Sequence, residues 1–400
     1  MLRPFLLLAL FAALLAACST GKTALNHGHF DLAVKRASYR LQQPKGIGKR
    51  GYTLAPWVLQ QAFIRAYEQH QTTIRQLSSP ANTAPFRWES VYQAYEKLQA
   101  LTDDAHKANQ ALDRRVLTVC DSCPNWLTAY PLSYQDRQRD TRELAAADRY
   151  EAAEQAFAYR EQDRLAAKDA YLNYKKALDW VPDYRQAKAK SEDAFPFAIL
   201  RVVVEPLGPT RDISQSDNQR LSEKILDRLG HSEAPSTFVR LYPPTESAGD
   251  GFPIHQAIQM QVTDYDAYDE RTSSSSTTVY STQEYKVGEK KINDSTKVDI
   301  LEKAKGTLTT HRREIRAGLD LRMRAVDTQT GQTLWEEPIW ESRTWQTEWE
   351  TFSGDDRALN GYSLKSANLF PPSRWSLYTD MRDELVGDVV RRLRVRYSQD

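Results

Sequence analysis

A chain of 400 residues that is 40% hydrophobic, with nine Trp and twenty Tyr, is long enough for two domains with separate hydrophobic cores. Lys and Arg total 54 and Asp and Glu total 53, so the formal net charge is +1. This balance argues against a nucleic-acid-binding surface, because such surfaces are strongly basic.

The N-terminus has the pattern of a bacterial lipoprotein signal. Arg3 precedes an apolar run at 5–15, which has the length of a signal-peptide core and is too short to span a bilayer. The next residues, Leu15-Ala16-Ala17-Cys18, resemble the lipobox of bacterial lipoproteins, where small residues admit the signal peptidase and the cysteine thiol carries a diacylglycerol. An ordinary secretory signal with an incidental cysteine is the alternative.

The lipobox resemblance implies a signal peptide at 1–17 and a lipidated tether at 18–27, with the covalent lipid on Cys18 in place of any cofactor. Acyl chains contribute roughly 0.8 kcal/mol per buried methylene and hold a soluble body on a membrane. Ser19, rather than Asp, follows the cysteine, and in enterobacterial lipoproteins this favours the outer membrane. We therefore expect the protein in the cell envelope, lipid-anchored and facing the periplasm.

Residues 28–192 are predicted to form a helical domain, because apolar residues recur three and four positions apart. Ala170, Tyr174, Ala177 and Pro182 resemble the second half of a tetratricopeptide repeat, in which small residues let two helices approach and the aromatic fills the groove between them. A regular repeat period is absent, and Glu154 and Glu161 stand where the repeat family has aromatic residues, so a plain helical bundle is the alternative. A repeat array would imply a concave peptide-binding groove.

Two of the three cysteines, Cys120 and Cys123, form a CxxC motif between predicted helices. A zinc site needs four ligands, and no second CxxC or His pair stands nearby in the sequence. A thioredoxin-like site needs a βαβ setting, which the helical flanks do not provide. In an oxidising compartment the motif favours a local disulfide in a loop. The second alternative is a pair of reduced thiols without a role, and the third is a catalytic or metal-binding pair.

Residues 197–400 have an α+β pattern. A β-branched run opens this region at 197–207, a tight turn at 327–331 predicts a hairpin, and four serines at 273–276 are interpreted as an exposed loop. The predicted strands are 197–207, 238–241, 257–262, 277–288, 298–310 and 315–326, and the predicted helices are centred on 221–230 and 376–397. We expect the helices on one face of a mostly antiparallel sheet, after an α-helical N-terminal domain of repeat-like hairpins.

Three features resemble the periplasmic domain of the curli secretion-channel lipoprotein family. They are the strand that ends at Pro206-Leu207, the strand 319–327, and the hairpin Thr328-Gln329-Thr330-Gly331 with Leu334 behind it. In that family inserted hairpins form a transmembrane barrel, so the resemblance implies a secretion pore component.

The corresponding insert here, about 270–316, departs from that pattern because neither face of its strands is consistently apolar and charged residues are frequent from Glu284 to Arg316. Each Arg or Lys that faces lipid at the midplane costs about 2–4 kcal/mol. We therefore interpret the insert as an exposed β-ribbon that docks a partner or another copy of the chain.

No catalytic motif is found in the sequence. Trp335, Trp340, Trp345 and Trp349 are candidates for a carbohydrate- or peptide-binding surface, and structural aromatics are the alternative. We predict a non-enzymatic, membrane-anchored envelope lipoprotein that acts as a scaffold, with envelope proteins or peptidoglycan, or a second copy of itself, as partners and no nucleic acid. The alternatives are a glycan-binding or hydrolytic envelope enzyme and a curli-type pore component.

Overall fold

The computed structural model describes residues 20–43, 49–113, 126–247, 251–293 and 296–399. The chain divides between Ala198 and Ile199 into two compact units. The described part of the first unit is helical: α1 (Lys22–Asn26), α2 (Phe30–Gln42), α3 (Lys49–Ser78), α4 (Arg87–Asp113), a 3-10 turn (Trp126–Ala129), α5 (Gln135–Phe157), α6 (Arg164–Trp180) and α7 (Ala187–Ala198).

The first three long helices, α2 to α4, share one hydrophobic cluster, in which Leu41, Phe63 and Leu98 are completely buried. Small residues such as Ala62 and Ala105 lie in the same cluster and allow the helix axes to approach closely. The sequence period that predicted amphipathic helices therefore corresponds to a real buried stripe on each helix.

Helices α5 to α7 form successive hairpins around a second, smaller cluster. Ala170, Tyr174 and Ala177, the residues at repeat-like spacing, are all completely buried there. Asp163 caps α6 by accepting a hydrogen bond from the backbone N–H of Leu165 at 2.8 Å, which fixes where the helix begins.

The second unit is an α+β fold, as predicted. Its elements are β1 (Leu200–Val204), α8 (Gln215–Gly230), β2 (Val239–Tyr242), α9 (Pro244–Ser247), β3 (Gln256–Asn293), β4 (Thr296–Asp327), β5 (Thr333–Gly354), a 3-10 turn (Asp356–Leu359) and α10 (Arg374–Tyr397). They build a five-stranded sheet in the order β2-β1-β3-β4-β5. The β1 pairs are parallel, and β3, β4 and β5 are antiparallel.

Helices α8 and α10 cover one face of this sheet. Leu221 and Ile225 of α8 and Met381 and Leu385 of α10 are completely buried and share a cluster with Leu319 of β4. Serines cap both helices: the Ser214 hydroxyl accepts from Asp217 N at 3.1 Å, and the Ser373 hydroxyl accepts from Ser376 N at 3.0 Å.

Several predicted boundaries were wrong. The separate strands predicted at 257–262 and 277–288 belong to one continuous strand, β3, and those at 298–310 and 315–326 belong to β4. The four serines interpreted as a loop lie inside β3, and the predicted opening strand begins three residues late because α7 continues to Ala198. The backbone N–H and C=O groups of this hydroxyl-rich segment pair with β4, so the segment forms a strand although its side chains do not alternate between apolar and polar.

The predicted hairpin between β4 and β5 is confirmed. The Asp327 carboxylate accepts hydrogen bonds from the backbone N–H groups of Gln329 at 3.0 Å and Thr330 at 2.7 Å. Gly331 has a φ of 72°, a conformation that glycine adopts without strain. The N–H and hydroxyl of Thr330, the latter at 3.0 Å, together with Gln329 N–H hold the pKa of Asp327 below its usual value.

Candidate interaction surfaces

The most prominent feature of the second unit is a long β-ribbon, defined here as residues 264–320 of β3 and β4 with residues 341–354 of β5. The pairing of β3 with β4 runs from Gln256 opposite Asp327 to Asn293 opposite Thr296. At about 3.4 Å per residue, the part from Asp264 to Asn293 extends roughly 100 Å. The third strand accompanies it as far as Gly354, which lies opposite Gly306.

Beyond Ile315, which is buried in the core of the second unit, both faces of the ribbon are mostly polar, and large apolar side chains such as Val287, Ile292 and Leu301 are scattered and exposed. One face of the ribbon continues the helix-covered face of the sheet. There, hydroxyl residues lie side by side across the three strands, as Ser276, Thr309 and Thr351 do. The Ser276 and Thr309 hydroxyls are 2.9 Å apart. On the opposite face, Arg312 lies beside Gln346 and Glu314. Because neither face offers a continuous apolar surface beyond Ile315, this outer part of the ribbon has no core of its own to bury.

The outer edge of β3 is largely unpaired. Its neighbour β1 pairs with it only at Gln256 to Ile258, and two further backbone bonds follow, from Glu205 N to Ile258 O at 2.9 Å and from Gly208 N to Met260 O at 2.7 Å. Beyond that point, among the residues that the structure describes, no strand pairs with this edge. An unpaired edge presents a row of free N–H and C=O groups that can pair with another strand.

Irregularities in β3 leave one regular stretch on this edge. Register shifts lie between Asp266 and Asp269 and between Tyr280 and Glu284. Between them, residues 272–279 carry neither charge nor proline, and their pairing with β4 is continuous. Bulges, charges and proline are the usual protection of an edge strand, so this stretch is the least protected part of the edge.

The outer edge of β5 is partly covered by the chain that follows it. Glu350 N donates to the carbonyl of Lys365 at 3.0 Å, and Asn368 N donates to the Thr347 hydroxyl at 2.7 Å. The Glu350 carboxylate also accepts from the backbone N–H of Lys365 at 3.0 Å and from Tyr362 Oη at 2.9 Å, and these two bonds hold the pKa of Glu350 below its usual value. The free edge of β3 is therefore the more accessible of the two.

The structure does not bring the four candidate tryptophans together. Trp335 and Trp345 pack against the core under α10, and Trp349 lies on the same face and stacks on His311 with ring centroids 5.1 Å apart. Trp340 lies on the opposite face and is 67% exposed. Even and odd positions of a strand point to opposite faces, which separates Trp340 from the other three.

The three cysteines, Cys18, Cys120 and Cys123, lie outside the described residues. Their predicted roles, lipidation for the first and a disulfide for the other two, therefore stay predictions.

The first unit contains a groove of about 630 Å³ between α3, α4 and α5. Its wall is apolar and aromatic, and its rim carries Arg75, Arg137 and Asp140. The apolar and aromatic side chains are Ile74, Trp88, Val91, Tyr95, Tyr134 and Leu144. Its lining residues lie on α3, α4, α5 and the segment before α5, whereas the buried repeat-like residues lie on α6.

Polar networks that the sequence did not predict join the helices of this unit. Glu89 of α4 accepts two hydrogen bonds from Arg149 of α5 and one from Trp180 Nε1 of α6 at 3.0 Å. Burial favours the neutral form of Glu89, but the hydrogen bonds outweigh it, so its pKa lies below the usual value. The network fixes the relative positions of three helices.

A second network explains a departure from the repeat pattern. Glu154 stands where a tetratricopeptide repeat has an aromatic residue. Its carboxylate accepts from Tyr174 Oη at 2.7 Å and from Lys190 Nζ at 2.5 Å. Burial together with the hydrogen bond to Glu154 raises the pKa of Tyr174. The only sequence signal for this network was the charged residue at an aromatic position.

The chain matches no family model and no curated protein. Among the described residues, none of the helices combines the length and the apolar character needed to cross a bilayer.

Proposed function

We propose that the protein is a membrane-anchored envelope lipoprotein that acts as a scaffold and assembles through its β-ribbon. The lipobox at Leu15–Cys18 supports the anchor. The single observation that carries the assembly role is the unpaired, uncharged edge of β3 at residues 272–279.

The physical argument is strand addition. A partner strand laid along this edge would satisfy the outward N–H and C=O groups of β3, as β-augmentation does in other proteins. Ser and Thr side chains impose no charge repulsion on the incoming strand, so a second copy of the same segment is an acceptable partner. Main-chain hydrogen bonds would supply the affinity, and the neighbouring rows of hydroxyl side chains would supply the specificity.

We do not propose a secretion pore. A lipid-facing ribbon needs an apolar face with aromatic girdles, whereas both faces of this ribbon carry hydroxyl or charged side chains. Conductance of the purified protein in planar bilayers would favour the pore and contradict the scaffold. A glycan-binding or hydrolytic role has no comparable support, because the four tryptophans are divided between two faces.

The test places lysines on the free edge. The double variant Ser276→Lys and Thr278→Lys should reduce self-association or crosslinking to envelope proteins by about tenfold or more, because like charges on the edge strand would repel an incoming copy. The matched control, Thr307→Lys with Thr309→Lys, adds the same charge to β4, the central strand of the ribbon.

Sedimentation velocity of the chain from Ser19 onward and crosslinking in cells are the two measurements. The control should assemble like the wild type. Equal assembly by the wild type and the edge variant would contradict the role of the β3 edge.

A further inference from the structure

The segment that leads from the ribbon back to α10 exposes an unusual number of large apolar side chains. The exposed fractions reach 86% for Phe370, 76% for Leu369 and 67% for Trp375. Tyr362 and Leu364, earlier in the same segment, are also exposed. Leaving such side chains in water is unfavourable, so a cluster of them indicates a contact that the isolated chain does not make.

Local structure holds these side chains outward. Asn368 Oδ1 accepts a hydrogen bond from Phe370 N at 3.1 Å, which fixes the turn that presents Leu369 and Phe370. Pro371 and Pro372 follow and cannot continue a hydrogen-bonded strand. The Ser373 cap then starts α10, so that Trp375 lies in its first turn.

Two cations lie in this segment, which Asp355 and Asp356 precede and Asp380 follows. Residues 358–379 contain Lys365 and Arg374 and no acidic residue, in a chain that has 53 Asp and Glu. Lys365 lies 3.9 Å from Glu350, and the Arg374 guanidinium lies 5.3 Å from the centre of the Tyr268 ring. Glu350 offsets the charge of Lys365, so the exposed Arg374 is the cation that can contact an anionic headgroup.

The exposed area is small for a protein interface. Two aromatic rings and one leucine offer roughly 400 Å², about half of the 800 Å² that each partner buries in a standard complex. A lipid surface has no such minimum, and Trp and Phe are well suited to the boundary between headgroups and acyl chains.

We propose that Leu369, Phe370 and Trp375 form a loop that inserts into the headgroup region of an anionic phospholipid bilayer. This contact would act as a second, reversible attachment beside the predicted lipid on Cys18, since stable anchoring commonly takes two signals. This membrane contact does not depend on assembly through β3, and it can be measured on protein that lacks the lipid on Cys18.

The experiment is flotation of the unlipidated chain from Ser19 onward with vesicles. Phosphatidylcholine vesicles with phosphatidylglycerol should carry the wild type upward, and pure phosphatidylcholine or high salt should weaken this binding. The double variant Leu369→Ser with Phe370→Ser should lower the partition coefficient by about tenfold or more. Both side chains are exposed, so circular dichroism should show an unchanged fold.

Two further variants make the test specific. Phe370→Trp keeps a large aromatic group and should retain binding. Trp340→Ser removes a tryptophan that is as exposed as Trp375, at 67%, but lies outside the segment, and it should also retain binding.

The proposal is overturned if the wild type does not float with either vesicle, if the double variant floats equally well, or if Trp340→Ser loses as much binding. It is also overturned if the double variant abolishes self-association instead, because the loop would then be a protein interface. The lysine variants of β3 should float normally, which separates this result from the assembly test.

Discussion

The Phe352 ring of β5 lies directly on Gly306 of β4, where a Cβ atom would collide with the ring. Gly306 is opposite Gly354, so Phe352 reaches across the strand pair to cover a position that has no side chain. This aromatic–glycine contact fastens the end of β5 to the ribbon. It lies where the three-stranded part of the ribbon becomes two-stranded.

Gly306→Val should therefore displace Phe352 and loosen the end of β5. The cost of overpacking is about 1–3 kcal/mol, and it should appear as faster hydrogen exchange of the backbone amides at 350–354. Gly318→Val is the matched control, because a Cβ at Gly318 on the same strand meets nothing within 4 Å. Equal exchange in the two variants would contradict the role given to Phe352.

The hydrogen bonds between Glu89 and Arg149 predict a pH dependence of stability. The Arg149 Nε–Glu89 Oε1 distance is 2.6 Å and the Nη2–Oε2 distance is 3.1 Å. Because the pKa of Glu89 is lowered by folding, its contribution is complete above the unfolded-state value near 4.5. The contribution is lost as the pH falls through the folded-state pKa.

Glu89→Gln should lower the free energy of unfolding by about 1–2 kcal/mol at pH 7, and the difference from wild type should shrink below about pH 4. Urea unfolding at both pH values measures it. Asp179→Asn removes an exposed partner of Lys176 at 3.7 Å and should change stability by less than about 0.5 kcal/mol. A Glu89→Gln effect that is the same at pH 7 and pH 3 would refute the ionic explanation.

The sequence predicted the helices well because burial imposes a visible period. Tyr174 and Leu221 fall on predicted apolar stripes and are completely buried. The ribbon was predicted to be exposed, but its strands were broken into pieces, since the Ser273–Ser276 segment has no apolar alternation. Its backbone is satisfied by cross-strand hydrogen bonds, which leave little trace in the side-chain pattern of a single strand.

The exposure of Leu369 and Phe370 could not be predicted from the sequence, for a different reason. Leu369 and Phe370 precede a helix whose own apolar residues, such as Leu377 and Met381, are buried. Nothing in the residue types separates a leucine that enters the core from one that remains in water. Only the path of the chain after β5 distinguishes the two.

Cys18→Ala tests the predicted anchor. The variant should accumulate as an unprocessed precursor or be released from the membrane, because the acyl chains would be the strongest membrane attachment. Fractionation followed by a high-salt wash measures this in a protein that also carries Leu369→Ser and Phe370→Ser, since salt would only weaken the apolar contact proposed for residues 362–375. A processed Cys18→Ala protein that resists the wash would show that lipid on Cys18 is not the anchor.

The last prediction concerns the independence of the α+β unit. The described hydrophobic cluster under α8 and α10 is built from residues between Leu200 and Tyr397, and those of the helical unit lie between Ala24 and Ala194. Because each cluster is composed of residues from its own unit, a protein of residues 199–400 should fold alone and unfold in one cooperative transition. Circular dichroism and urea denaturation provide the measurement.

Met381→Ala, which opens a cavity at a completely buried position, should destabilise the protein of residues 199–400 by about 2–5 kcal/mol. The exposed change Val395→Ala should have a much smaller effect. A random-coil spectrum for residues 199–400 would contradict this independence and show that the sheet requires the helical unit to fold.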